Sequence, residues 1–125
     1  RPKVVPYRLA GRAEDVIDDI LLESARRWGV STAAKYHRLI LASLAAIGAS
    51  PILIGSRDIP RITGLRTYHL RLARNLVDRE HRIAEPRHLV IYRIAPDGVV
   101  EILGLAHDRQ QLARAARRTR RESDP

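Results

Sequence analysis

The sequence predicts an α+β domain: an N-terminal strand, an antiparallel helix hairpin packed on an antiparallel β-sheet, and a short C-terminal helix. Three observations carry this. Two consecutive stretches, from Ala13 to Trp28 and from about Ser31 to Ile47, repeat apolar residues at helical spacing. Two β-rich runs, "RHLVIYRIA" and "VVEILGLAH", flank the turn signal "PDG" at Pro96 to Gly98. Asp108 followed by Gln111 resembles a capping box opening a last helix. At 125 residues there is room for one modest core, so residues 1–125 are expected to form a single domain.

Each element has its own signal. "VVPYRLA" (Val4 to Ala10) is β-rich but interrupted by Pro6, which cannot donate to a ladder, so an edge strand is expected. Ala13, Val16, Ile17, Ile20, Leu21 and Trp28 share one helical face, with Glu14 and Asp15 at the positive end of the macrodipole. Gly29 suits the end of this helix, and Ser31 or Thr32 suits the cap of the next. In that second helix Tyr36, Leu39, Ile40, Leu44 and Ile47 keep the period until Gly48 and Pro51. Trp28 and Tyr36 therefore read as core packing rather than as base-stacking platforms. Ile52 to Thr63 is punctuated by Gly, Ser, Asp and Pro and reads as an ordered loop. "GLRTYHLRL" alternates as a strand, and the polar stretch from Asn75 to Pro86 reads as a loop with room for a helical turn near Leu76 to Arg79. The last helix is expected from Arg109 to about Arg120, with residues 121–125 frayed.

Along "HLVIYRIA" both faces are apolar, Val90, Tyr92 and Ile94 against Leu89, Ile91 and Ala95. A sheet wet on one face should alternate. Something must cover the second face, and the last helix offers only Leu112 and small alanines, so a partner's segment is the alternative cover.

Composition narrows the function. There is no cysteine, which removes disulfides and thiolate metal sites, and the five histidines lack compact ligand spacing, so no metal and no cofactor is expected. No apolar run is long enough for a membrane span and the start lacks a signal-peptide core, so residence in the cytoplasm is expected. Methionine is absent, so residue 1 is not expected to be the natural start. Net charge is +9, and 21 of the 23 cationic residues are arginines. Guanidinium pairs bidentately with phosphate and carboxylate, which suits nucleic acid or an acidic protein partner, although a GC-rich genome yields the same bias. Arg114, Arg117, Arg118 and Arg121 recur at helical spacing in the last helix and make one cationic stripe.

In order along the chain, "YRLAGRAEDVIDDI", "RWGVSTAAKYHRLI", Pro51, "GLRTYHL", "PRHLVIYRI" and "VVEILGLAHDRQQLARAA" resemble the ParE toxins of the RelE/ParE toxin superfamily of type II toxin–antitoxin systems. The stretch from Leu72 to Pro86 is longer than the short hairpin of the commonest members. The resemblance implies the same helix-hairpin-on-sheet fold and a bacterial toxin linked to plasmid maintenance or stress response. It implies two competing activities. ParE-like members inhibit DNA gyrase by direct binding, whereas RelE-like members cut messenger RNA on the ribosome. Both are silenced by an antitoxin, here expected to be ParD-like. A third possibility is a non-toxic basic nucleic-acid or protein-binding module on the same fold.

Metal-free RNA cleavage needs a base for the 2′-hydroxyl, a cation for the phosphorane and an acid for the leaving oxygen. Arg66, Arg87, His88, Arg93 and His107 are the residues that would supply them. Pairing outward from the "PDG" turn sets His88 roughly opposite Ala106, within one residue of His107. The competing reading has both histidines as polar fittings of the sheet, and Arg87 and Arg93 paired with Glu85, Asp97 or Glu101. RelE-like nucleases crowd lysines and a C-terminal tyrosine or arginine set around the phosphate, and this chain has no lysine after Lys35 and no tyrosine after Tyr92. That departure favours the gyrase-binding version. Under it, Arg87, His88, Tyr92, Arg93, Arg114, Arg117 and Arg118 are the candidate target- or antitoxin-binding residues.

Overall fold

The computed structural model describes residues 7–124. Val4 to Pro6, part of the first expected strand, lie outside the described residues. The elements are β1 (Tyr7–Leu9), α1 (Ala13–Trp28), α2 (Val30–Ala49), β2 (Arg57–Asp58), β3 (Arg66–His69), β4 (His88–Ile94), β5 (Val100–His107) and α3 (Leu112–Ser123). Two 3₁₀ helices, Leu70–Leu76 and Arg79–His81, occupy the stretch between β3 and β4.

The five strands form one sheet in the order β1-β5-β4-β3-β2. β3, β4 and β5 are antiparallel as expected, and β1 lies on an edge but runs parallel to β5, which makes the sheet mixed. That direction follows from the chain path, because α1 and α2 intervene before the chain returns through β2 to β5. No helix among the described residues is long and apolar enough to cross a membrane.

The helix hairpin is tighter than its capping residues suggest. Gly29 alone joins α1 to α2, at φ 95° and ψ 163°, and neither Ser31 nor Thr32 caps α2. Gly29 ends one helix and begins the other, donating its N–H to Ala25 O and accepting from Ala33 N at its own carbonyl. A left-handed φ at a one-residue corner favours glycine.

The sheet has two cores. On one face Ile17, Tyr36, Leu39, Ile40, Leu44 and Ile47 from the helix hairpin meet Tyr68, Val90, Tyr92, Val100 and Ile102. On the other, Ile91, Leu103 and Ala106 are covered by Ile59, Ile62 and Leu65 from the loop and by Ala115 and Ala116 of α3. The chain thus covers its own second face, and the expected partner segment is not needed there. The thinness of α3 is what lets it approach: an added Cβ at Gly104 of β5 would lie 3.0 Å from Thr119 Cγ2.

α3 also starts and ends later than its sequence signals imply. Asp108 does not cap it, Gln111 occupies the N-cap position without a side-chain bond, and the helix runs through Ser123 rather than fraying at 121. Arg93 ties its end down, with NH1 and NH2 donating to Asp124 at 2.6 and 2.8 Å while Nε donates to Glu101 at 2.8 Å. Paired with two carboxylates, Arg93 is shifted further above its already high range, and Asp124 is held below the usual carboxylate range by Arg93.

Tyr92, a candidate contact residue, is fully buried. Its hydroxyl donates to Pro51 O at 2.6 Å and meets Ser56 Oγ, which accepts from Arg66 Nε at 2.8 Å. Tyr92 therefore staples the loop after α2 to the sheet and presents no surface. Replacing Gly104 by Val should prise α3 from β5 and cost about 1–3 kcal/mol in urea unfolding. Adding Thr119→Ala to that variant should recover part of the loss, since the nearest clashing methyl is then gone.

Candidate functional site

The candidate site forms where α1 and α2 pass over the ends of β4 and β5. β4 begins at His88 and β5 ends at His107, and these two residues are directly paired. Counting from the turn puts Ala106 there instead. A β-bulge makes the difference: Ile91 pairs with Gly104 and Tyr92 with Ile102, so Leu103 is an extra residue in β5 and the register shifts by one beyond it. The two imidazoles consequently share a face, with ring centroids 5.3 Å apart and edge-to-face.

A hydrogen-bond chain runs through this cluster. Arg87 N donates to Tyr36 Oη at 3.1 Å, and Tyr36 Oη in turn lies 2.5 Å from His88 Nδ1. With Arg87 N–H on one side of Oη, the hydroxyl proton is free to be donated to Nδ1, an arrangement that leaves the His88 proton on Nε2. Burial first, and then the neighbouring His107 and His69 rings, push His88 down to about 4, with Asp108 pulling the other way. Burial pushes Tyr36 up to about 12 against the opposing Arg87 N–H. Both groups are neutral through the physiological range.

Beside them Asp108 gathers three cationic or titratable side chains. His69 Nδ1 accepts from Arg71 N, leaving Nε2 to donate to Asp108 Oδ2 at 3.1 Å. Arg87 NH2 lies 3.1 Å from Asp108 Oδ1 and His107 Nδ1 lies 3.5 Å from the same oxygen. Burial pushes the Asp108 carboxyl upward, but the His69 hydrogen bond and the Arg87 and His107 charges outweigh it and hold the group below the usual carboxylate range. The expected ion pair of Arg87 is thus with Asp108, whose carboxylate is diverted from helix capping, and not with Glu85.

Around this cluster opens a groove of about 720 Å³. Its apolar lining is Ile20, Trp28, Tyr36 and Ile83, and its charged lining pairs Arg27, Arg87 and Arg109 with Asp19, Glu23 and Glu85. Trp28, expected in the core, is 69% exposed. It is the last residue of α1, at the corner with Gly29, so its ring lines the groove mouth instead of reaching the sheet. Tyr36 is buried as expected.

Of the five residues that a ribonuclease would need, Arg87, His88 and His107 come together. Arg66 and Arg93 do not: Arg66 pairs across β4 with Tyr92 and bonds Asp58, and Arg93 holds Glu101 and Asp124. Tyr36, His69 and Asp108 are the members that sequence reasoning missed. Tyr36 was hidden by its place in a regular apolar stripe, while His69 and Asp108 are 39 residues apart and meet only through strand pairing. Elsewhere, Asp78, Glu80 and His81 bring one ligand atom each within 4.8 Å on a surface turn, a grouping that histidine spacing did not predict. Asp78 and Glu80 are exposed, as in an ordinary solvated acidic turn.

The helix hairpin on a five-stranded sheet, with an open groove at the start of β4, can be set beside known proteins. Residues 7–112 match the family described as ParE toxin of type II toxin-antitoxin system, parDE, and the chain belongs to that family. It is 36% identical over 103 residues to Toxin ParE1 of Caulobacter vibrioides, an alignment covering 82% of this chain and 88% of that relative.

The unfolded state binds a proton on His88 near pH 6.5, whereas the folded state does so only near 4. The His88 contribution is therefore complete above pH 6.5 and is lost as pH falls toward 4, a change on the order of 3 kcal/mol. His88→Leu should flatten urea-unfolding stability over that window, and in the unsubstituted protein the His88 ring should titrate near 4 by NMR.

Proposed function

We propose that this toxin acts by binding DNA gyrase and is silenced by a ParD-like antitoxin seated in the groove at Trp28. The hydrogen bond that engages buried His88 with the Tyr36 hydroxyl is the observation that carries the first half. A metal-free nuclease needs a base and an acid that exchange protons near neutral pH. Here the innermost pair, Tyr36 and His88, is locked neutral, with Nδ1 already occupied by the tyrosine. Arg66 and Arg93 are committed to carboxylates away from the histidines. These features favour a toxin that works by occupancy over one that cuts RNA.

For the second half, the groove has the chemistry of a peptide site. Three cations and three carboxylates around an apolar lining suit a segment of mixed charge with apolar anchors, not a bare polyanion. Trp28 is the natural anchor, being large, rigid and already exposed.

Two measurements test this. Added to gyrase and plasmid, the protein should trap cleaved DNA that is released by detergent and protease, and induced cells should show an SOS response and filaments. Intact plasmid together with messenger RNA cut inside codons would reverse the assignment in favour of a ribonuclease. Trp28→Ala should weaken capture of a ParD-like antitoxin at least ~10-fold, in the range of an interface hot spot. Folding should be preserved, because the ring is largely outside the core.

A further inference from the structure

The second cationic feature of the molecule lies on the opposite face of the sheet from the helix hairpin. α3 buries Ala115, Ala116 and Thr119 against the sheet, and Arg114, Arg117, Arg118 and Arg121 stand exposed on its outer side. Spaced at three, four and seven residues, they run along roughly 10 Å of helix.

Several arginines elsewhere are occupied. Arg8, Arg26, Arg27, Arg66, Arg87 and Arg93 each lie within 4 Å of a carboxylate. Among the described residues, none of the four α3 arginines has such a partner. Asp124, the carboxylate just past the helix, is taken by Arg93, and Glu122, the one within it, forms no ion pair among the described residues. Like charges at i,i+3 and i,i+4 repel, so the stripe costs the helix a little stability that no ion pair among the described residues offsets.

We propose that this face of α3 binds the phosphate backbone of duplex DNA without regard to sequence. Charge complementarity selects the occupant. A protein partner anchors on apolar or aromatic side chains, and α3 exposes none: Leu112 and Ala113 are partly buried against the second core. Single-stranded nucleic acid is held by stacking on aromatic rings, and α3 has no aromatic residue. What remains is a row of guanidinium groups, the chemistry that meets evenly spaced phosphates and reads no base. The groove at Trp28 is charge-balanced whereas the α3 stripe is cationic, so DNA on α3 and a peptide in the groove address different chemistries, although Arg118 also lines a smaller cavity that shares Asp19, Ile20, His88 and His107 with the groove.

The test is fluorescence anisotropy of the full chain with a labelled 20-base-pair duplex of arbitrary sequence, at salt concentrations from 50 to 200 mM. If all four arginines neutralise phosphates, log K falls with log salt at a slope near −3.6, about a 150-fold loss of affinity over that range. Arg117→Gln/Arg118→Gln should shallow the slope by about 1.8, and the fourfold Gln variant should abolish the salt-dependent binding. Circular dichroism and urea unfolding of the same variants establish that the fold is kept, as exposed side chains allow. Unchanged binding in the folded fourfold variant, no binding by the unsubstituted chain at 50 mM salt, or tighter binding to single-stranded than to duplex DNA would each overturn the proposal. Because the readout is DNA alone, its outcome is independent of whether gyrase is the target.

Discussion

Burial of β4 and β5 on both faces is the constraint around which the remaining elements are arranged. A strand with Val90 and Tyr92 on one side and Ile91 on the other cannot leave either side in water without a cost of about 25 cal/mol per Å² of apolar surface. The helix hairpin answers one side with large aliphatic side chains. On the other side a loop carrying Ile59, Ile62 and Leu65 joins a helix whose inner face is reduced to alanine and threonine. Small residues bury little area each, yet they allow close approach, and Gly104 removes the last Cβ from the contact. The Arg93 fork on Asp124 and Glu101 then fixes the far end of α3.

The bulge at Leu103 links this packing to the site. An extra residue in β5 increases local twist and moves every later pair by one, which brings His107 opposite His88. Once adjacent and shielded from water, His88 is harder to protonate because of its burial and the neighbouring His107, and its Nδ1 is engaged by the Tyr36 hydroxyl. Asp108 completes the arrangement from outside, balancing Arg87 and orienting His69. A cluster that resembles an acid–base site by residue type thus has its buried Tyr36–His88 pair hydrogen-bonded beneath the groove.

Charge is distributed with similar economy. The arginines are not all alike: Arg87 at the groove and Arg8 at the sheet edge pair with carboxylates, whereas the four on the outside of α3 form no ion pair among the described residues. Two surfaces of the same basic protein therefore differ in chemistry, one mixing cations, carboxylates and apolar side chains and the other presenting guanidinium groups. Desolvation and geometry, rather than net charge, separate them.

The architecture was legible in the sequence because it rests on local signals. Helical periodicity placed α1 and α2, the "PDG" turn placed the β4–β5 hairpin, and the doubly apolar "LVIY" announced that both sheet faces would be covered. The order of motifs marked the toxin family, which the match over residues 7–112 supports. Tertiary structure decided what depends on pairing at a distance. It supplied the cover of the second face from within the chain, exposed Trp28 at a helix corner, and buried Tyr92 under a loop. It also shifted one register by a single residue, and side chains alternate with a period of two, so that shift determined which histidine faces which. A bulge, a one-residue turn and a borrowed carboxylate leave no periodic trace, since each is a compromise among contacts made only after the elements meet.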